Sequence, residues 1–393
     1  NTNVCDASTF KKQLKVYEPE EFNCQELHSS IEEIARMKGI NDFEYHVDTI
    51  SGKGDNYIAN LFRVSIKDTE DDANSVNVIV KTLVNTARQE TFNALHKREV
   101  NVYDKVLPKF KKIQDVINDE NKVTFPNCLL LSSEDRQELI ILEDMEEKGY
   151  IMSDKVAKFE QLTLDEVELI LKDLAKFHAL SLVCEKKNEK EFRHLQAEFT
   201  DLMFDNKFLN RSNLRKYFLD SYEMSFKVVE VFDAKKPLEQ IGKKLIELLR
   251  FYTSPKKFNV LCHGDCWINN VLFKKSVRSQ HLETLLEVYY ESFQIFSNLF
   301  DLDVSLIYRK EDFYTDIKET LPFGFLIAFI ELRIVTCTPE DIDFLRGSTL
   351  ALNTLVSPNG NELFKIRIND VVREATSNGS INKLIDDINT VNN

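Results

Sequence analysis

The hydrophobic pattern changes period once along this chain, and that change restricts the folds open to it. Phe62, Val64 and Ile66 alternate with polar neighbours, and Val76, Val78 and Val80 repeat the alternation after an acidic run from Asp68 to Asn74. Each step along a strand flips the side chain to the other face, so these segments predict two antiparallel strands joined by a hairpin. Beyond Met145 the spacing becomes helical. Thr163 and Glu166 form a capping box, after which Val167, Ile170, Leu174 and His178 share one face. Strand-like patches return only near Asn259 and Val271. The expected class is α+β: a small antiparallel-sheet lobe with one helix over residues 1–144, then a larger, mainly helical lobe over 145–393. A chain of 393 residues exceeds the roughly 250 to 300 residues that one core serves, which also calls for two lobes.

Composition excludes several classes of function. The formal net charge of -14 opposes nucleic-acid binding, which needs stripes of Lys and Arg. The longest apolar stretch, Leu321 to Ile330, is closed by Glu331 and Arg333. It is far short of the ~18 to 20 residues that cross a bilayer, and reads as a buried helix. The polar opening from Asn1 lacks a secretory pattern. The seven cysteines contain no C-x-x-C pair and are odd in number, so they are expected as free thiols in the cytoplasm. Nothing in the sequence points to a protein partner.

Three features of the first lobe bear on chemistry. The turn Ser51-Gly52-Lys53-Gly54-Asp55-Asn56-Tyr57 is compatible with an ordinary hairpin, and equally with close approach of the backbone at Gly52 and Gly54 to a phosphate. From Ala87 to Leu107, Phe92, Leu95, Val102 and Val106 define a helical face that also carries Glu99. A carboxylate there either reaches water at the edge of the stripe or takes a cationic partner, and Lys81 at the end of the preceding strand is the candidate. A strand lysine followed by a helix glutamate is the order in which the lysine holds the α and β phosphates of ATP and the glutamate holds the lysine. Finally, Leu139 to Leu142 reads as a buried strand running into Glu143, Asp144 and Met145, a crossover where a hinge would offer backbone groups to adenine.

The densest chemistry lies in Val260-Leu261-Cys262-His263-Gly264-Asp265-Cys266-Trp267-Ile268-Asn269-Asn270-Val271-Leu272-Phe273. Its apolar ends read as short strands around a loop of His, Asp and Asn. Phosphoryl transfer needs a carboxylate near the acceptor hydroxyl and an oxygen ligand for Mg²⁺. Asp265 fits the first role and Asn270 the second, since an amide oxygen suits Mg²⁺ without adding negative charge. His263 would brace the loop. Cys262, His263 and Cys266 also raise a zinc reading, but no second Cys or His pair follows at usable spacing. His178 reads as a hydrogen-bonded core histidine.

These segments resemble the insect ecdysteroid kinase-like family, also called CHK kinase-like, in the group that contains choline kinases and aminoglycoside phosphotransferases. The resemblance rests on Leu142-Glu143-Asp144-Met145, Phe177-His178-Ala179-Leu180, Cys262-His263-Gly264-Asp265 through Asn269-Asn270, and Glu99 through Tyr103 to Leu107-Pro108. It runs from about Thr49 to about Leu350. It implies a bilobal protein-kinase-like fold with ATP in the cleft and a hydroxylated small molecule as acceptor. Lys81 and Glu99 would be the phosphate-binding pair, Asp265 the base, Asn270 a magnesium ligand, and Glu143 to Met145 the adenine hinge.

One family element is missing. The family continues past the catalytic loop into a strand ending in Asp-Phe-Gln or a close relative, whose Asp is the main metal ligand. Here Lys274-Lys275-Ser276-Val277-Arg278-Ser279-Gln280 leads straight into a helical pattern of Leu282, Leu285, Leu286, Tyr289 and Phe293. The next acids, Glu283, Glu287, Asp301 and Asp303, are expected as solvated charges. Two expectations follow: an ATP- and Mg²⁺-dependent O-phosphotransferase, or a catalytically impaired relative that keeps the fold.

Overall fold

The alternating segments pair as their pattern requires. The computed structural model describes residues 25–50, 59–71, 73–83, 89–134, 137–152, 163–199, 202–264, 272–273, 282–336 and 358–391. They divide into two compact units, one within 1–108 and 124–151, the other within 109–123 and 152–393.

The first unit opens with helix α1 (Gln25–Met37), followed by strands β1 (Phe43–Thr49), β2 (Ala59–Asp68) and β3 (Ser75–Leu83). Helix α2 (Gln89–Asn101) runs through a π-helical turn at Val102–Val106 into α3 (Leu107–Ile113). The widened turn ends just before Pro108, whose ring nitrogen has no hydrogen to give an i→i−4 bond. Strands β4 (Cys128–Ser132) and β5 (Leu139–Glu143) complete a five-stranded antiparallel sheet in the order β1-β2-β3-β5-β4.

In the central ladder Val64 lies opposite Val78 and Phe62 opposite Val80. Phe62, Val64, Ile66, Val78, Val80 and Ile141 share one face and are buried there with Tyr45 and Val47. Helix α1 covers this face with Leu27, Ile31, Ile34 and Ala35, spaced to form one stripe. The expected acidic hairpin joins β2 to β3. Asp68 accepts from Glu70 N–H and from the Asn74 amide, and Asp71 accepts from Ala73 N–H. The turn's carboxylates thus satisfy its own donors.

The second unit is helical, with α4 (Leu164–Lys187), α5 (Glu189–Glu198), α6 (Asn206–Arg211), α7 (Leu214–Lys227), α8 (Phe232–Lys243), α9 (Leu245–Thr253), α10 (Leu282–Asn298), α11 (Val304–Ile307), α12 (Lys310–Val335), α13 (Pro358–Ser377) and α14 (Ser380–Val391). The capping box is present: Thr163 N–H donates to Glu166 Oε2 at 2.7 Å, and Glu166 N–H to Thr163 Oγ1 at 3.1 Å. Helix α4 packs along α10, burying Ala175, Ala179, Leu182 and Val183. The stretch read as a buried helix lies in α12, with Phe325, Leu326, Phe329 and Ile330 in the core. Gly242 permits the approach of α8 to α7, since a Cβ there would stand 2.8 Å from the Tyr222 ring. Among the described residues no helix is long and apolar enough to cross a membrane. Cys128, Cys184 and Cys262 are free thiols.

Candidate functional site

In the first unit, Lys81 and Glu99 come together. Lys81 follows core residue Val80 on β3 and so points to the opposite face of the sheet. Its Nζ donates to Glu99 Oε1 at 2.8 Å and Oε2 at 2.7 Å, with both side chains about one-third exposed. The ammonium is oriented while keeping access to water, a suitable state for meeting an anion.

Helix α2 is docked there by polar groups that hydrophobic periodicity does not reveal. His96, only 2% exposed, is the most buried described side chain of the helix. Its Nε2 lies 2.8 Å from the Ser132 carbonyl, and the Asn93 amide donates to Glu138 at 2.7 Å. Asn93, His96 and Glu99 recur every three residues, so one face of α2 carries both its fastening and the lysine partner. Burial, and then the Glu99 carboxylate, push the Tyr103 phenol upward.

The segment after β5 is held by its own side chains. Asp144, 5% exposed, accepts from Arg63 Nε at 2.6 Å and from Glu146 N–H at 3.0 Å. Arg63 also reaches Glu146 at 2.7 Å. Glu143 Oε1 accepts from Asn127 N–H at 2.8 Å and from Lys148 Nζ at 2.9 Å. Desolvation would raise the Glu143 carboxyl, but the bonds from Lys148 and Asn127 outweigh it and hold the group below its ordinary range. Met145 is buried, and Gly149 ends the turn in the left-handed region at φ +79°. The carboxylates of Glu143 and Asp144 are therefore committed to shaping this segment.

In the second unit the segment leading into the loop is fastened to α4, where Leu261 N–H donates to Ser181 Oγ at 2.9 Å. His263 follows, and Gly264 takes φ +81°, a conformation only glycine adopts cheaply. His178 is hydrogen-bonded as expected, its Nδ1 lying 2.6 Å from the Tyr289 hydroxyl. Burial, then the charge of His263, lower its pKa to about 4, so it is neutral near pH 7. Asp265 and Asn270 lie outside the described residues, as do Cys266, Gly52 and Gly54. The strand-like end of the loop is observed at Leu272–Phe273.

The acids beyond the loop have other occupations. Glu287 pairs with Lys310 and accepts from the Tyr314 hydroxyl at 3.0 Å. Asp303 caps α11 through Ser305 N–H at 2.9 Å, while Glu283 and Asp301 are exposed. Among the described residues no group of three or more His, Cys, Asp or Glu side chains is placed to hold a metal ion. The Lys81–Glu99 pair fits the phosphates of a nucleotide, whereas the described residues supply no ligand set for Mg²⁺.

No curated protein sequence matches the chain. The profile of the ecdysteroid kinase-like family matches residues 53–312, about two-thirds of the sequence and all the motifs described above. The chain belongs to the ecdysteroid kinase-like family, within the protein-kinase-like superfamily.

Proposed function

We propose that this chain is an ATP-dependent O-phosphotransferase acting on a hydroxyl group of a small molecule, an ecdysteroid-like alcohol or a xenobiotic. The observation that carries the reading is the two-pronged contact of Glu99 with Lys81. It fixes an ammonium where the family places the α and β phosphates. Asp265 accepts the proton of the acceptor hydroxyl as its oxygen attacks the γ-phosphorus, and ADP leaves. Asn270 ligates Mg²⁺, which when bound neutralises phosphate charge. His263 braces the loop, and Gly52 and Gly54 let the backbone approach phosphate. Because the carboxylates of Glu143 and Asp144 are occupied, adenine is met by the main chain of residues 143–145. The proposed setting is the cytoplasm. The nucleotide-binding lobe is 1–144, and 145–393 carries the catalytic loop and acceptor site.

A second reading, a catalytically impaired relative, is favoured by the acids that follow the loop among the described residues: Glu287 and Asp303 are already engaged. ATP turnover with Mg²⁺ against a panel of hydroxysteroids, in the chain and in Asp265→Asn, separates the two. Turnover that disappears in the variant supports the transferase, and its absence from both supports the impaired relative. Unchanged turnover in the variant rejects Asp265 as the base.

A further inference from the structure

Ser181 stands at the start of the loop that leads to Asp265, and it is 1% exposed. Its Oγ receives the Leu261 N–H out of reach of competing water. One turn earlier on the same side of α4 is His178, held by the Tyr289 hydroxyl. The Tyr289 ring stacks on Phe313, with centroids 5.5 Å apart, and on Phe293, at 6.3 Å. That hydroxyl therefore sits on a stiff aromatic post. The other nitrogen of His178, Nε2, is buried with no hydrogen-bond partner among the described residues. Such a group carries a desolvation cost that an apolar side chain of similar size would avoid. His178 is therefore a poor choice for packing alone, and His263 is close enough for its charge to act on it.

We infer that Ser181 and the Tyr289-held His178 are positioning residues for the catalytic loop: Ser181 fixes its first backbone donor at Leu261, and His178 limits where His263 can lie. This rests on the reading of residues 261–273 as a catalytic loop. None of the three side chains is assigned contact with the nucleotide. Their loss acts on loop geometry, to which phosphoryl transfer is sensitive.

The test uses the full chain as Ser181→Ala, Ser181→Thr and Tyr289→Phe, the last of which removes a single oxygen atom. Trp267, the only tryptophan, lies within the loop and reports its order without any need for activity. Expected in Ser181→Ala and Tyr289→Phe is acrylamide quenching of Trp267 raised at least about twofold. Turnover should fall about 10- to 100-fold at unchanged KM for ATP and nearly unchanged Tm. Ser181→Thr, which keeps the acceptor oxygen, should restore much of both. Wild-type quenching and kcat in both variants would overturn the inference, as would a loss of turnover that merely follows Tm. If the wild-type chain turns over no ATP, the transferase reading fails on its own, and Trp267 quenching alone decides the positioning role. Should Ser181→Ala not fold, the same readouts in Tyr289→Phe decide it.

Discussion

The Arg63 guanidinium donates to the Asp144 carboxylate at 2.6 Å, tying the second strand of the sheet to the segment after the fifth across 81 positions of sequence. Removing the cation leaves a 5%-exposed carboxylate with only the Glu146 N–H. Burying an unpaired charge costs several kcal/mol, reduced here because Arg63 is itself part exposed. Arg63→Gln should destabilise the first unit by about 2 to 3 kcal/mol, read from urea denaturation. Asp144→Asn, which retains an oxygen for the Glu146 N–H, should cost less. Equal stability of Arg63→Gln and the wild-type chain would show that the pair contributes nothing.

Lys81 and Glu99 give a prediction that does not depend on turnover. Glu99→Gln preserves one hydrogen bond to the ammonium but removes the charge that orients it, so ATP binding measured by calorimetry should weaken about tenfold, equivalent to about 1.4 kcal/mol. Lys81→Met should abolish measurable binding. An unchanged affinity in Lys81→Met would mean that this lysine does not meet the phosphates.

How much of this is legible in the sequence depends on whether the signal is local. Phe62, Val64 and Ile66 announce their strand because burial alternates with every residue, and Thr163 with Glu166 announces a helix start because both halves of the cap lie within one turn. The pairing of Lys81 with Glu99 is readable from order and from a carboxylate on an apolar face. The partners of Arg63 and Leu261 are not, because Asp144 and Ser181 lie 81 and 80 residues away and no periodicity encodes such distances. The docking of α2 through Asn93 and His96 is hidden for another reason. Polar residues read as solvent-facing unless Glu138 and the Ser132 carbonyl are known to await them. Helix α1 was not among the expected elements, although Leu27, Ile31, Ile34 and Ala35 carry its stripe in plain view.

His178 makes stability depend on pH. Its folded pKa of about 4 lies below the ordinary histidine value near 6.5, so the unfolded chain binds a proton more readily. The contribution is fully present above about pH 6.5 and is lost as pH falls towards 4, reaching about 3 kcal/mol in all. Urea midpoints measured between pH 7 and 4.5 should fall more steeply in the wild-type chain than in His178→Asn, which cannot titrate there. Parallel curves would show that His178 is free to protonate in the folded protein.

Removing the metal distinguishes how much of its binding the protein itself supplies. Asn270 offers a neutral oxygen, and the described acids that follow the loop are engaged or exposed, so the charges holding Mg²⁺ come mainly from ATP. A neutral amide adds little to the binding of a cation that gives up its water reluctantly. Chelation of Mg²⁺ should therefore stop turnover while weakening ATP binding only several-fold, because Lys81 still meets the phosphates. Asn270→Ala should behave nearly as the chelated wild-type chain does in turnover, with ATP affinity almost unaltered. A loss of affinity of a hundredfold or more on chelation would require a charged protein ligand on the ion. That ligand would lie in the segment between Lys275 and His281 or elsewhere outside the described residues, and the impaired-relative reading would lose its main support.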